Sequence, residues 1–173
     1  GNWYLGFQLI DELHTIAPSR FSPDQIVSHI RYLRAAAIRK SSRRIGMGID
    51  IKNGDRGIRD IEFWVQGLQL MHIRDYPSLW IRGTLNALDH LRHLGIVPAK
   101  LALTVRDIYL LFRRLEHFLQ LLDDQQTHTL PTHEVALTAL AKRLLGTTFT
   151  GTDLIDVIES YREIVGSLPG NSQ

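Results

Sequence analysis

The sequence has no cysteine among its 173 residues. This absence excludes a disulfide framework, a thiolate nucleophile and a cysteine zinc site. It also has no apolar run near the roughly 18 residues that span a bilayer, and its first residues lack the cationic start of a signal peptide. We therefore expect a cytoplasmic protein without a membrane partner.

An excess of one charge is also lacking, because 20 Lys and Arg nearly balance 18 Asp and Glu, for a net charge of +2. So small an excess does not predict a nucleic-acid partner. Local charge is more informative, because residues 31–44 hold six cations: Arg31, Arg34, Arg39, Lys40, Arg43 and Arg44. Such a group is typical either of a helix C-terminus, where the dipole favours positive charge, or of an anion-binding surface.

Strand patterns are missing as well, since no segment alternates apolar and polar residues for long enough. Apolar residues recur instead at three- and four-residue spacing, and 44% hydrophobic content can form one core. We predict a single all-α domain over residues 1–173, a helical bundle of about six helices. A first helix is expected over residues 5–16 and the longest from residue 99 to about 123. The expected N-caps are Thr84, Thr132, Thr152 and Ser22, the last with Gln25 as its capping-box partner.

Residues 50–69, DIKNGDRGIRDIEFWVQGLQ, combine a glycine-broken basic loop with the start of a helix. The glycines permit tight turns and positive φ, and the cations lie near backbone N–H groups of a helix start. Phosphate or carboxylate is favoured in such a place. The candidate site residues here are Lys52, Gly54, Gly57, Arg59 and Glu62.

A second polar stretch covers residues 112–131, FRRLEHFLQLLDDQQTHTLP. Its charged and amide side chains recur on one helical face and continue into a turn rich in hydrogen-bonding groups. The face is either an exposed, salt-bridged surface or a surface that docks onto another domain. Its members are Arg113, Arg114, Glu116, His117, Gln120, Asp124, Gln126, Thr127 and His128.

No metal site is expected. The run from His133 begins like a zincin helix but has Leu137 in place of the second histidine, and the pair His90 and His93 has a single plausible neighbouring ligand, Asp89. The glycines of the Gly-Met-Gly run at residues 46–48 also fail the dinucleotide pattern, which needs a third glycine where Ile51 stands.

The two stretches together resemble bacterial glutamine synthetase adenylyltransferase. That family carries DIK-x-G-x-G-GIR-[DE]-IEF-x-x-Q-x-x-QL and a later run close to LRRLEH-x-LQ-x-x-x-D-x-QTH-TLP, and the similarity spans residues 50 to 145 approximately. The connecting run PSLWIRGTLNALDHLRHLGIV is also similar. One departure is Arg56, which stands where the family has the first of two glycines and makes the loop backbone less permissive.

The resemblance implies transfer of AMP from ATP to a tyrosine of glutamine synthetase, with Mg²⁺, and phosphorolytic removal in bifunctional forms. The implied partners are glutamine synthetase, a PII signalling protein and an upstream catalytic domain of the same polypeptide. The signature of such enzymes, a Gly-Ser turn followed by a strand with two alternating carboxylates for Mg²⁺, is absent from this sequence. We therefore expect an inactive helical region that follows a catalytic sheet and binds no cofactor alone.

The alternative is a non-catalytic interaction or regulatory module, as in a PII uridylyltransferase or a degenerate homologue. Under the first hypothesis, Lys52 and Arg59 lie near the nucleotide phosphates or order the carboxylates that hold Mg²⁺. Under a purely structural interpretation, Arg59 pairs with Glu62 or Glu116 inside the bundle.

Overall fold

The computed structural model describes residues 22–42, 48–122 and 128–169. These ranges contain no strand, and they form six α-helices and one short 3₁₀ turn. The helices are α1 (Pro23–Ser42), α2 (Ile58–His72), α3 (Thr84–His93), α4 (Ala99–Leu122), α5 (Glu134–Leu144) and α6 (Gly151–Gly166), and the turn is Pro77–Leu79. The predicted all-α bundle is confirmed. None of these helices has the length and apolar character to cross a membrane. The helix expected over residues 5–16 lies outside the described residues.

Helix α4 is central to the core because it packs against α2, α3 and α5. Its buried side chains recur at three- and four-residue spacing, as a helix with a wide apolar face requires. They include Val105, Ile108, Phe112 and Leu115, all fully buried. Helix α6 packs mainly on α5 and also reaches α4, where Tyr161 places its ring 6.4 Å from that of Phe112. Residues of α2, α4 and α6, among them Ile58, Phe112 and Ile158, therefore share one core.

Two helix ends follow the sequence closely. At the start of α1, Ser22 N donates to Gln25 Oε1 over 2.8 Å and Gln25 N donates to Ser22 Oγ over 3.3 Å, which confirms the predicted capping box. At the end of α3, Gly95 has a φ of 72°, and Ile96 N donates to Leu91 O over 3.0 Å. This is a Schellman ending, in which glycine takes the left-handed conformation at least cost.

The cap predicted for α6 is wrong by two residues. Thr150, not Thr152, is the N-cap, since its Oγ1 accepts from Asp153 N while Asp153 Oδ2 accepts from Thr150 N. A capping box needs an acid or amide three residues after the cap, and Ile155 stands three residues after Thr152. The hydrogen bonds from the Thr150 backbone and side chain lower the pKa of Asp153.

The caps predicted at Thr84 and Thr132 are also displaced. Thr84 is the first helical residue of α3, and Gly83 precedes it as N-cap with a φ of 88°. Helix α5 begins after His133, whose side chain makes no capping hydrogen bond. Neither threonine is followed three residues later by an acid or amide that would complete a capping box.

Candidate functional site

The loop that precedes α2 lies against the segment that follows α4. Ile51 N donates to His128 O over 3.0 Å, and Leu130 N donates to Ile49 O over 2.9 Å. Between these hydrogen bonds, Asp50 and Thr129 form an isolated antiparallel bridge. The two stretches that the sequence singled out are therefore in direct contact.

The loop also folds back onto its own helix. Asp50 Oδ1 accepts from the N–H groups of Lys52 and Asn53, each over 2.9 Å. The first N–H groups of α2 are used in the same way, since Ile58 N donates to Ile51 O and Arg59 N donates to Lys52 O. These helix-start donors bond within the chain, so any anion at this place must be bound by side chains.

Gly54 and Gly57 serve close approach, and neither uses the positive φ that glycine permits. Gly57 has a φ of −98°, and Gly54 is not among the described glycines in the left-handed region. A Cβ on Gly54 would collide with Asp50 O, and one on Gly57 would lie 2.6 Å from Ile51 O. The left-handed residue is instead Arg56, with a φ of 61°. The position where the sequence departs from the family's glycine is thus the one that favours glycine.

The Glu116 cluster consists of Glu116 with Lys52, Arg113 and His128. Glu116 is only 4% exposed, and its Oε1 lies 2.9 Å from Lys52 Nζ while its Oε2 lies 2.7 Å from Arg113 NH1. His128 Nδ1 lies 3.7 Å from Oε1. A buried carboxylate is strongly disfavoured without such partners. The cluster therefore joins the loop to α4.

His128 is held mainly in its neutral form. Burial and the nearby positive charge of Lys52 lower the pKa of its imidazole, and the charges of Glu116 and Asp50 oppose this shift only in part. Its Nδ1 is buried and has no hydrogen-bond partner in the described part of the chain. Protonation of this ring would thus add a charge in a place that already disfavours it.

The Asp55 cluster consists of Asp55 with Arg34, Arg56, Asp60 and Arg162. Arg34 Nε lies 2.8 Å from Asp60 Oδ1, and Arg34 NH2 lies 2.6 Å from Asp55 Oδ1. Asp60, only 1% exposed, also accepts from Arg56 N over 2.6 Å. Burial acts against the charge of Arg34, but the hydrogen bond to Asp60 and the two carboxylate charges raise the pKa of its guanidinium.

Sequence reasoning missed Arg34 and Asp60 as site residues. The available signal for Asp60 was its place in the first turn of a helix, where an acid is favoured. Arg34 was noticed only as one of several cations near a helix end. Its partner lies 26 residues away, and no local spacing rule reaches so far.

Arg59 is exposed, and its side chain makes no hydrogen bond or ion pair within the described residues. Arg59 therefore does not form the ion pair with Glu62 or Glu116 that the structural interpretation requires. Glu62 accepts from the hydroxyl of Tyr109 over 3.2 Å, and Glu116 is occupied by its own cluster. Burial and the charge of Glu62 raise the pKa of Tyr109, so its hydroxyl stays a donor.

The polar face predicted on α4 divides into two parts. Glu116 lies on the buried side, while Arg114, His117 and Gln120 are exposed. Arg113 connects the two parts through its ion pair with Glu116. The remaining members of the predicted face, Asp124, Gln126 and Thr127, lie outside the described residues.

The weak metal candidates remain apart from these clusters. Asp89 is bound by Arg92 over 2.8 Å, and this hydrogen bond lowers the pKa of its carboxyl. His93 Nδ1 lies 3.4 Å from the same carboxylate. In the described ranges, no three potential ligands are grouped as a metal site requires.

These contacts define an all-α domain in which two polar clusters hold the loop before α2. A family model described as GlnD PII-uridylyltransferase matches residues 27–162, well over half of the chain. The chain belongs to this family. The match contains both clusters, most of α6, and α1 apart from its first turn. The residues that hold the loop therefore lie within the match.

Proposed function

We propose that the chain is the helical domain of a glutamine synthetase adenylyltransferase, within the nucleotidyltransferase-type family to which it belongs. The parent enzyme then transfers AMP from ATP, with Mg²⁺, to a tyrosine of glutamine synthetase, and bifunctional forms also remove it by phosphorolysis. A catalytic domain upstream on the same polypeptide supplies the metal-binding carboxylates, and a PII protein regulates the reaction. Residues 1–173 form one helical domain of this enzyme, located in the cytoplasm. The support is the close similarity of two runs of this sequence, DIKNGDRGIRDIEF and FRRLEHFLQ, to runs of that enzyme family.

One observation supports the assignment of the site: the cations of the loop differ in whether they have a partner among the described residues. Lys52 pairs with the buried Glu116, and the guanidinium of Arg56 lies 3.4 Å from Asp55. Arg59 has no partner among the described residues although it lies beside both clusters in the chain. A cation whose backbone N–H is bonded to the loop, and whose charge has no partner among the described residues, suits an external anion.

We infer that Arg59 faces the nucleotide phosphates, or the carboxylates that hold Mg²⁺, in the upstream domain. Lys52, Gly54, Gly57 and Glu62 then support this placement from within the loop and α2. ATP and Mg²⁺ are bound by the parent enzyme and not by this chain alone. The exposed part of the α4 face, with Arg114 at its centre, is a surface for docking the catalytic domain.

The family match favours a second candidate, a module of a PII uridylyltransferase. The geometry suits it equally, because a uridylyl donor presents the same phosphates to an arginine. The two candidates differ in the base of the nucleotide and in the protein that is modified.

The test uses the full-length protein that contains this chain. We expect AMP transfer from ATP to glutamine synthetase and no comparable uridylyl transfer to PII; the reverse result would establish the second candidate. Arg59→Ala should lower kcat/KM for the nucleotide by roughly ten- to a thousandfold, as for loss of one phosphate or transition-state contact. AMP transfer by residues 1–173 alone would overturn the proposed division between helical and catalytic domains.

Arg74→Ala is the matched control, because Arg74 is also exposed, has no partner in the described ranges and follows the far end of α2. It should leave kcat/KM unchanged. Equal kinetics for Arg59→Ala and Arg74→Ala would contradict the phosphate-side role of Arg59.

A further inference from the structure

We propose that the C-terminal end of α6 positions the loop, with Arg162 and Gly166 as positioning residues that determine where Arg59 is presented. This inference rests on the proposed function of Arg59 for its catalytic consequence. The contact itself stands on geometry alone.

Arg162 reaches the loop from 107 residues further along the chain. Its Nε and NH2 both donate to the backbone oxygen of Asp55, over 3.3 and 3.1 Å. Its NH1 is held by Glu159 Oε1 over 2.8 Å, one turn earlier on α6. The guanidinium is therefore oriented by its own helix and binds main chain in the loop, and a main-chain contact constrains the backbone path directly.

Gly166 receives the neighbouring loop residue. A Cβ on Gly166 would lie 2.8 Å from Arg56 Nε and 3.0 Å from its Cδ, so the Arg56 side chain packs on the bare backbone at the last residue of α6. Arg56 is also the residue in the left-handed conformation, whose cost the surroundings must offset. Two consecutive residues, one held by its carbonyl oxygen and one by its side chain, are thus bound by one helix end.

The consequence concerns the next residues along the chain. Arg59 follows Arg56 by three positions, and its N–H is bonded to the loop at Lys52 O over 3.1 Å. A displaced loop would therefore move the start of α2 and the free arginine with it. A partner that binds the end of α6 and displaces the loop would therefore also move Arg59.

The first arm of the test is limited trypsin cleavage of the full-length protein, read by mass spectrometry after Lys52 and Arg59. Arg162→Ala should speed cleavage at these sites by about tenfold, because hydrogen bonds from a charged group are lost and cleavage follows the open population. Cleavage after Arg82, in the exposed segment before α3, is the internal reference and should not change. Arg143→Ala, which removes an arginine stacked over Phe118, is the matched control.

Gly166→Ala separates positioning from folding. Alanine is a better helix residue than glycine, so the helix should not weaken, yet the added Cβ must displace Arg56. We expect faster loop cleavage with no fall in melting temperature. Unchanged loop cleavage in both variants would overturn the inference. A rise after Arg82 equal to that in the loop would overturn it too, since α6 would then stabilise the whole domain.

The second arm measures kcat/KM for the nucleotide in the same two variants. A loss parallel to that of Arg59→Ala supports positioning of Arg59. Arg162→Lys should be intermediate, because an ammonium keeps the charge but lacks the planar fork that reaches Asp55 O and Glu159 together. Faster loop cleavage with unchanged kcat/KM would support the positioning of the loop by α6 but contradict the proposed function of Arg59. Failure of the positioning and failure of the proposed function therefore give different results.

Discussion

The core around α4 and the loop before α2 are built on opposite principles. In the core, Ile108, Phe112 and Leu115 are fully buried and make no polar contact through their side chains. In the loop, buried Asp60 and its neighbours are held by guanidinium groups from α1 and α6. Apolar contacts are non-directional and tolerate small shifts, whereas charged contacts fix both distance and orientation. The bundle supplies stability, and the loop supplies the fixed placement that a site requires.

The largest expected effect would break the core. Leu115→Ala should lower the free energy of unfolding by about 2 to 5 kcal/mol, because a fully buried side chain is replaced by a cavity. Asp156→Ser, at an exposed position of α6, should stay within about 0.5 kcal/mol. Urea unfolding measures both, and equal midpoints at equal m-values would show that α4 is not central.

A smaller effect sharpens the description of the loop. Arg56→Gly and Arg56→Ala both delete the side-chain contacts, but only glycine adopts a φ of 61° without steric cost. The glycine variant should be more stable than the alanine variant by about 1 kcal/mol. Urea unfolding of the pair gives the difference directly, and greater stability of the alanine variant would mean that the left-handed conformation carries no cost.

The smallest effect concerns pH at the Glu116 cluster. The folded-state pKa of His128 is lowered from the ordinary value of 6.5, so the unfolded chain binds the proton first as pH falls. Stability from this group is complete above pH 6.5 and decreases as pH falls from there towards the lowered pKa. The melting temperature of His128→Gln should therefore fall less than that of the unchanged protein over this window.

His117→Gln, at an exposed position of α4, is the matched variant for loss of one imidazole. Identical pH dependence of the unchanged protein and His128→Gln would contradict the burial of a neutral ring. A steeper fall in His128→Gln would contradict the sign of the shift.

The contrast between core and loop also explains what the sequence could predict. Helical spacing identified α4 and its buried face, and the Ser22 and Gln25 pair identified the start of α1, because both signals are local. The caps at Thr84, Thr132 and Thr152 were misplaced by a residue or two, since a threonine without an acid or amide three residues later is a weak signal of a helix start. Local rules were thus adequate for helices and weaker for their ends.

The sequence pointed to the loop as a candidate site but did not predict the contacts that hold it. Gly54, Lys52 and Arg59 were recognised from the loop composition, yet the pairing of Lys52 with Glu116 joins residues 64 positions apart. The role of Arg34 and the reach of Arg162 to Asp55 depend on how helices pack, which periodicity alone does not determine. Gly54 and Gly57 allow the close approach of Asp50 O and Ile51 O, a requirement that depends on the folded loop and not on local spacing.

The most direct test compares Lys52→Met with Arg59→Met by urea unfolding of the same protein. Lys52 neutralises a buried carboxylate, so Lys52→Met should lower the free energy of unfolding by about 1 to 3 kcal/mol. Arg59 is exposed and has no partner in the described chain, so Arg59→Met should change it by less than about 0.5 kcal/mol. Equal losses for the two variants, or a larger loss for Arg59→Met, would contradict the assignment of Lys52 to structure and of Arg59 to an external anion.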